Sequence, residues 1–442
     1  MFNNLFEISK NNYVIIFLII INFMIFNIIY NFQINKFNKI PSNTGEFPRL
    51  LYSPVEMNMW NTAYEFKKNT SFSNIQDYEF RHHFLPSKIL GLYGKISNLD
   101  FYDKKGDINF KNIHSFFLFQ TILYYLSVIY FYRKLKLLKI SKLVIYFTTV
   151  FLLFEPTINQ YRYTIFGETI FFSILIFLFS NLIDLPKKNI NYLFLGFLFA
   201  LCYLQRSVAM FFIIVPVIIV LFKFKKNSLF KIFNLALSYG TILLILGYLN
   251  YNRSDNFYFF PTQTIDNLYN FFLPSIEMKN QNYNSVLEAK NVLMSKKLNF
   301  AEKNNLDLNN ESDRIIFYKW QREKAIEAIL NNKLLTIQIA FKSSLHSALL
   351  NPTEVLFTRI HGVGYYKSEL HQKTLKYRVI YTLLVFFIIF LGFLYAIKNK
   401  IYSPHILLIA AMYFFSISSW VGYTRYFIPT YICLCLYFGL GV

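Results

Sequence analysis

A series of apolar runs, most of them separated by a few polar residues, constrains this chain more than any other feature. They lie near 13–30, 114–132, 143–160, 164–183, 190–205, 207–222, 231–249, 377–397, 402–420 and 426–442. About 20 apolar residues cross the hydrocarbon of a bilayer as a helix, and only a helix satisfies its own backbone hydrogen bonds there. Several runs are shorter than that, so their edges are approximate. Hydrophobic residues make up 55% of the chain and charged residues 16%. A soluble protein so apolar would lack the polar surface to cover its core. The expected fold is therefore all-α. It is a polytopic helical membrane protein of about ten transmembrane helices, with two long extracytoplasmic loops that contain amphipathic interfacial helices. The first run lacks a small-residue cleavage site and reads as a retained span.

The formal charge is +21, from 45 Lys and Arg against 24 Asp and Glu. So basic a chain could bind nucleic acid, but the cations sit in short clusters between apolar runs, as they do in cytoplasmic membrane loops. Nucleic acid is therefore not expected as a partner. Membrane lipids with anionic or phosphate headgroups are. One basic connection holds Arg133, Lys134, Lys136, Lys139 and Lys142, and the next holds Lys187 and Lys188. Lys223, Lys225, Lys226 and Lys231 form a third, and Lys398 and Lys400 a fourth. Every alternate connection is basic. That places these connections and the N-terminus in the cytoplasm, and both long polar stretches outside the cytoplasmic (inner) membrane. The organisation expected is a membrane part over 1–249 with a first outer loop at about 31–113, a second large outer loop over 250–376, and C-terminal spans over 377–442.

Within the loops, Pro54 opens a stretch without breakers to residue 68, with apolar residues 55, 59, 60, 63 and 66 on one helical face. It reads as an amphipathic helix at the membrane surface. Residues 313–330 give a second helix. Residues 334–350 are apolar but carry Lys342 and His346, and read as an interfacial helix, the other reading being a span that would break the charge alternation downstream. Residues 279–312, rich in Asn and Lys, are the stretch expected to be flexible.

Carboxylates at a membrane are costly and usually have a partner or a role. Glu56 opens the surface helix. Glu155 ends the third run before Pro156, and Glu168 lies a few residues into the fourth. Glu155 and Glu168 flank one short outer hairpin, where one carboxylate could act as general base and the other as its orienter. The plainer reading makes Glu155 a helix end paired with Arg162. Arg162, Arg206 and Arg425 are single cations on the outer side, each beside aromatic or polar residues, and suit a phosphate-holding pocket. The plainer reading here is snorkelling to headgroups. His82 and His83 are adjacent and point apart, which disfavours chelation. The three cysteines, Cys202, Cys433 and Cys435, lie inside apolar runs and form neither a disulfide framework nor a metal motif. No phosphate-binding P-loop, zincin or serine-hydrolase motif is present. No metal site is expected and no cofactor is required, with a divalent cation left open.

Several segments together resemble the integral-membrane glycosyltransferases of the GT-C fold, above all the protein O-mannosyltransferases and the bacterial transferases that use polyprenyl-phosphate sugars. Ser53 through Ala63 is similar to the family's acidic helix after the first span, with Glu56 where the family has Asp. Arg81 through Leu90, with Pro86, resembles the Pro-containing run that follows, with His replacing the family's first Pro. Glu155-Pro156 through Tyr161 and Gly167-Glu168-Thr169 resemble the acidic steps of the second outer loop. Gly196 through Ser207 resembles a Gly-rich span ending in Arg206, Asn250-Tyr251 through Tyr269 the stretch after the seventh span, and Thr424-Arg425-Tyr426 through Pro429 the late Arg-Tyr motif.

The resemblance covers nearly the whole chain. It implies transfer of a sugar from a polyprenyl-phosphate donor to a lipid, glycan or protein acceptor outside the cytoplasmic membrane. Glu56 and Glu155 would be the catalytic residues, and Arg162, Glu168, Arg206, Arg425 and Tyr426 would bind substrate. Three other classes stand beside this one, a non-enzymatic membrane scaffold among them. Transporters and flippases carry inverted repeats and broken mid-membrane helices, which the sequence does not show. O-antigen polymerases and ligases usually place paired Arg in one large late loop, whereas here two large loops flank spans two to seven.

Overall fold

The computed structural model describes residues 13–37, 54–72, 82–102, 109–138, 140–162, 164–165, 167–185, 188–259, 268–308, 310–349, 369–418 and 424–442. Within these, the side chains of 32–37, 54–57, 110–112, 226, 369–372 and 424–426 are not described. Among the described residues every regular element is helical. The helices are α1 (Tyr13–Phe37), α2 (Pro54–Lys68), α3 (Phe84–Ile96), α4 (Phe110–Leu137), α5 (Lys142–Phe154), the single turn α6 (Pro156–Asn159), α7 (Glu168–Ile183), α8 (Asn191–Gln205) and α9 (Ile214–Phe224). They continue with α10 (Leu229–Ser254), α11 (Leu273–Asn280), α12 (Val286–Lys303), α13 (Glu311–Asn331), α14 (Lys333–Leu349), α15 (Glu369–Lys398), α16 (Ser403–Ser418) and α17 (Thr424–Gly441). A 3₁₀ segment, Ser207–Ile213, leads into α9.

Among the described residues, five stretches are long and apolar enough to cross a membrane: Tyr13–Asn31, Ile113–Leu137, Ser207–Phe224, Leu229–Ser254 and Lys373–Lys398. Five shorter apolar helices accompany them: α5, α7, α8, α16 and the Phe427–Gly441 part of α17. The chain is thus a helical membrane protein. Its helices have one apolar face against the bundle and another open. On α1, Phe17, Ile20, Met24 and Ile28 are exposed while Ile15, Asn22 and Tyr30 are buried. A helix apolar all round fits a lipid surround.

The main core is built from the inner faces of α4, α5, α7–α10 and α15–α17. Close backbone approach sets part of it. A Cβ on Gly392 would overlap the Tyr437 carbonyl, and one on Gly441 would overlap the Ile388 carbonyl. With little hydrophobic drive between helices in lipid, such small residues let α15 and α17 gain dispersion contact. A second core joins α1, α2, α3 and the start of α4 through Phe26, Tyr30, Trp60, Ala63, Leu90, Phe101 and Phe117. This layer seats the first polar stretch on one end of the bundle. At the opposite end, Lys134 pairs with Asp184 at 2.6 Å and Lys231 donates to Asn189 Oδ1.

The predicted loop helices form at 54–68, 311–331 and 333–349, close to the expected bounds. Residues 279–312 differ from expectation, because they contain the 18-residue helix α12. Ser285 accepts from Glu288 N at 3.1 Å, while Glu288 Oε2 accepts from Asn284 N at 2.9 Å. This box starts the helix despite the Asn- and Lys-rich composition. The apolar run expected over 143–160 breaks at Glu155-Pro156, where proline takes the first position of a new turn.

Candidate functional site

Three segments distant in sequence meet at the end of the bundle under α3. The first is the start of α3, where His83 is the N-cap residue and Pro86 is buried in the first turn. The second is Gly167-Glu168, at the start of α7. The third is Gln205-Arg206-Ser207, where α8 ends and the 3₁₀ segment begins. Gly167 has φ of +80°, a backbone region that glycine enters without a Cβ penalty. A Cβ there would overlap the Gln205 amide and press on Pro86 at 3.3 Å. Gln205 Nε2 donates to the Gly167 carbonyl at 2.9 Å. Ser207 N donates to His83 Nδ1 at 3.4 Å. The three segments are therefore keyed together by backbone contacts and not only by apolar packing.

At their junction Arg206 Nη1 lies 2.7 Å from Glu168 Oε1, with the side chains 4% and 1% exposed. Glu168 is the first residue of α7, so its carboxylate sits at the positive end of that helix. Neither carboxylate oxygen has a hydrogen-bond donor in line among the described residues. The contact with Arg206 is thus coulombic, and it leaves acceptor capacity on Glu168. Exchanging a buried ion pair for apolar residues of similar volume is often neutral or stabilising. Stability alone therefore gives no reason to keep one beside apolar helices, which makes the pair a candidate site.

Glu155 sits apart from this pair. It lies between α5 and α6, where it accepts from Thr157 N at 3.2 Å and from the Tyr381 hydroxyl of α15. Burial pushes its carboxyl above the usual range, and the Thr157 and Tyr381 hydrogen bonds pull it part of the way back. The pairing of Glu155 with Arg162 does not form.

Arg162 points into the bundle and is 1% exposed. Its Nη1 donates to Asn22 Oδ1 of α1 and to the Tyr125 oxygen of α4, the latter at 3.0 Å. The Phe26, Tyr124 and Tyr125 rings lie 4.7, 4.7 and 4.9 Å from its Cζ. Asn22 also donates to the Leu153 carbonyl at 2.5 Å. The guanidinium is therefore a strut between α1, α4 and the end of α5, held by cation–π contacts. The geometry separates it from Arg206.

Glu56 is the third residue of α2, and Arg425 and Tyr426 lie in the first turn of α17. Their side chains fall outside the described ones, as do residues Arg81 and Tyr163 altogether. The helix that bears Glu56 is nonetheless connected to the Glu168–Arg206 pair. Trp60 and Ala63 of α2 are fully buried, and Gly91 of α3 admits the Ala63 carbonyl so closely that a Cβ would meet it at 2.6 Å. In turn α3 rests on Gly167 and Ser207.

Asn22, Gln120 and Gln205 carry site geometry that the sequence reading did not single out. Gln120 Nε2 donates to the Arg162 and Thr164 carbonyls at 2.7 and 2.9 Å, which shapes the hairpin before Glu168. Each is an amide inside an apolar run, which is the signal that could have found them. The later polar stretch is tied in beside the site. Arg253 at the end of α10 makes a forked pair with Glu311 of α13, Asn250 Nδ2 donates to the Tyr258 carbonyl at 2.7 Å, and the Tyr203 hydroxyl donates to the Phe259 carbonyl. Among the described residues no three His, Cys, Asp or Glu side chains gather as a metal site. No family model, no curated protein and no solved structure matches this chain.

Proposed function

We propose that this chain is a membrane glycosyltransferase that moves a sugar from a polyprenyl-phosphate donor to a lipid, glycan or protein hydroxyl outside the cytoplasmic membrane. The proposal includes about ten spans, with the five shorter apolar helices crossing as well, and a cytoplasmic N-terminus set by the basic connections. One observation carries it. The segments that resemble GT-C transferases in sequence, at Pro86, Gly167-Glu168 and Gln205-Arg206, converge around one buried ion pair.

In the proposed reaction the acceptor oxygen attacks the anomeric carbon. The bond from that carbon to the donor phosphate oxygen breaks, and the electron pair leaves with the polyprenyl phosphate. A base takes the acceptor proton, and a single displacement inverts the anomeric centre. Glu56, presented by α2, is the base. Arg206 neutralises the leaving phosphate and Glu168 holds Arg206 in place. Arg425 and Tyr426 complete the donor side from the start of α17. Glu155 and Arg162 position the hairpin that carries Glu168. A polyprenyl tail would lie between lipid-facing helices.

The test is transfer from a panel of radiolabelled undecaprenyl-phosphate monosaccharides by the purified full chain, in parallel with Glu56→Gln and Arg206→Gln. Donor consumption that is lost in both variants, with unchanged gel-filtration profiles, supports the reading. Folded protein that consumes no donor overturns it.

A further inference from the structure

The helix α14 has three distinct sides. One is buried against the C-terminal helices. It carries Thr336, Ser344, Ser347 and Ala348. Ser344 Oγ donates to the Phe415 carbonyl of α16 at 3.0 Å, and Ser418 Oγ lies 3.4 Å from Ser344 Oγ. Small residues and a hydroxyl-to-carbonyl bond across two helices are the contacts that hold helices together where water is scarce. The second side is an apolar stripe of Leu334, Ile337, Phe341 and Leu345, at steps of three and four residues. It is open to the surroundings, with Leu334 75% and Phe341 60% exposed. The third side follows it round the helix and is polar and exposed, with Gln338, Lys342 and His346 at steps of four.

A helix in water would not display the stripe, and a helix crossing the hydrocarbon would not display the third side. We infer that α14 lies along the headgroup boundary of a bilayer, with Leu334, Ile337, Phe341 and Leu345 among acyl chains and Gln338, Lys342 and His346 at the level of the headgroup phosphates. The occupant of the stripe is lipid, because α14 is seated on α15, α16 and α17, and α15 leaves Leu383, Leu384, Phe387, Phe390 and Leu394 open to the surroundings. The stripe extends that lipid-facing surface round the edge of the bundle. Lys342 faces outward beside it and suits anionic headgroups. The second polar stretch is thereby held flat on the membrane next to the Arg206 end, at a fixed depth. This inference does not depend on the glycosyltransferase reading.

The test uses the full chain in vesicles of phosphatidylcholine and phosphatidylglycerol, with a nitroxide on Phe341→Cys or on Lys342→Cys. Native Cys202, Cys433 and Cys435 are buried, so labelling is confined to the introduced thiol. Both positions are exposed, and the substitutions give up only the edge contact of Phe341 with Phe415 at 6.3 Å. The expected result is a reversal between neighbours: the spin at 341 relaxes more with oxygen than with a water-soluble nickel chelate, and the spin at 342 the opposite. Chelate-dominated relaxation at both positions would place α14 in water and overturn the inference. Oxygen-dominated relaxation at both would make it a buried membrane segment and overturn it equally.

Discussion

Glu168 and Arg206 face each other at 2.7 Å, both almost wholly buried, at the point where the first turn of α7 meets the end of α8. Each faces the other as a counter-charge, so removing one takes away a buried opposite charge from the other. Arg206→Gln or Glu168→Gln is expected to cost about 3–5 kcal/mol. The variant that changes both to Gln is expected to cost much less than the sum. Thermal unfolding of the singles and the double in one detergent closes the cycle, and additive costs would show that the two charges do not interact.

Gly167 has a left-handed backbone and no room for a Cβ between the Gln205 amide and Pro86. Gly167→Ala is expected to destabilise by about 1–3 kcal/mol from strain alone. Shortening the neighbour, as Gln205→Ser in the Gly167→Ala background, should relieve the overlap and leave the backbone term. A melting temperature that the second change leaves untouched would place the whole cost in the backbone.

Arg162 ties α1 to α4 through Asn22 and Tyr125. Asn22→Leu removes the acceptor of a buried cation and is expected to cost about 1.5–3 kcal/mol. In an Arg162→Met background the same change should cost less, leaving only the share of the Leu153 carbonyl and the Tyr125 hydroxyl that Asn22 also pairs. Arg162→Lys should not restore the wild-type melting temperature, because three rings stack on a planar guanidinium and an ammonium does not replace it. Equal costs of Asn22→Leu in both backgrounds would detach Asn22 from Arg162.

Burial raises the Glu155 carboxyl above its ordinary 4.5. The folded chain therefore holds this proton more tightly than the unfolded one. The stability from that difference is present in full below the ordinary value and is lost as pH rises through the raised one. Glu155→Gln should flatten this part of the stability profile. Glu155→Ala should also lose about 1 kcal/mol with the cap on Thr157 N. Profiles of wild type and Glu155→Gln that fall in parallel across that window would assign the pH dependence to another group.

Local rules account for what could be read directly from the chain. Pro54 marks where the first loop helix begins, whereas the Ser285–Glu288 box and the Asn310 cap start α12 and α13 within a stretch whose composition pointed to flexibility. The apolar runs set the helices of the bundle, and the composition sets the membrane as their solvent. Alone, the sequence also marked Glu155, Arg162, Glu168 and Arg206 as polar groups in apolar surroundings. It could not assign their partners. Asn22 and Arg162 stand 140 residues apart, and a 3.6-residue period has no term for a contact between helices. Tertiary packing decided that Glu168 takes Arg206, that Glu155 takes Tyr381, and that Arg162 is enclosed by rings from α1 and α4. The reason is electrostatic: a buried charge must be compensated by whichever group the assembled bundle brings within reach, and only the assembled bundle determines which group that is.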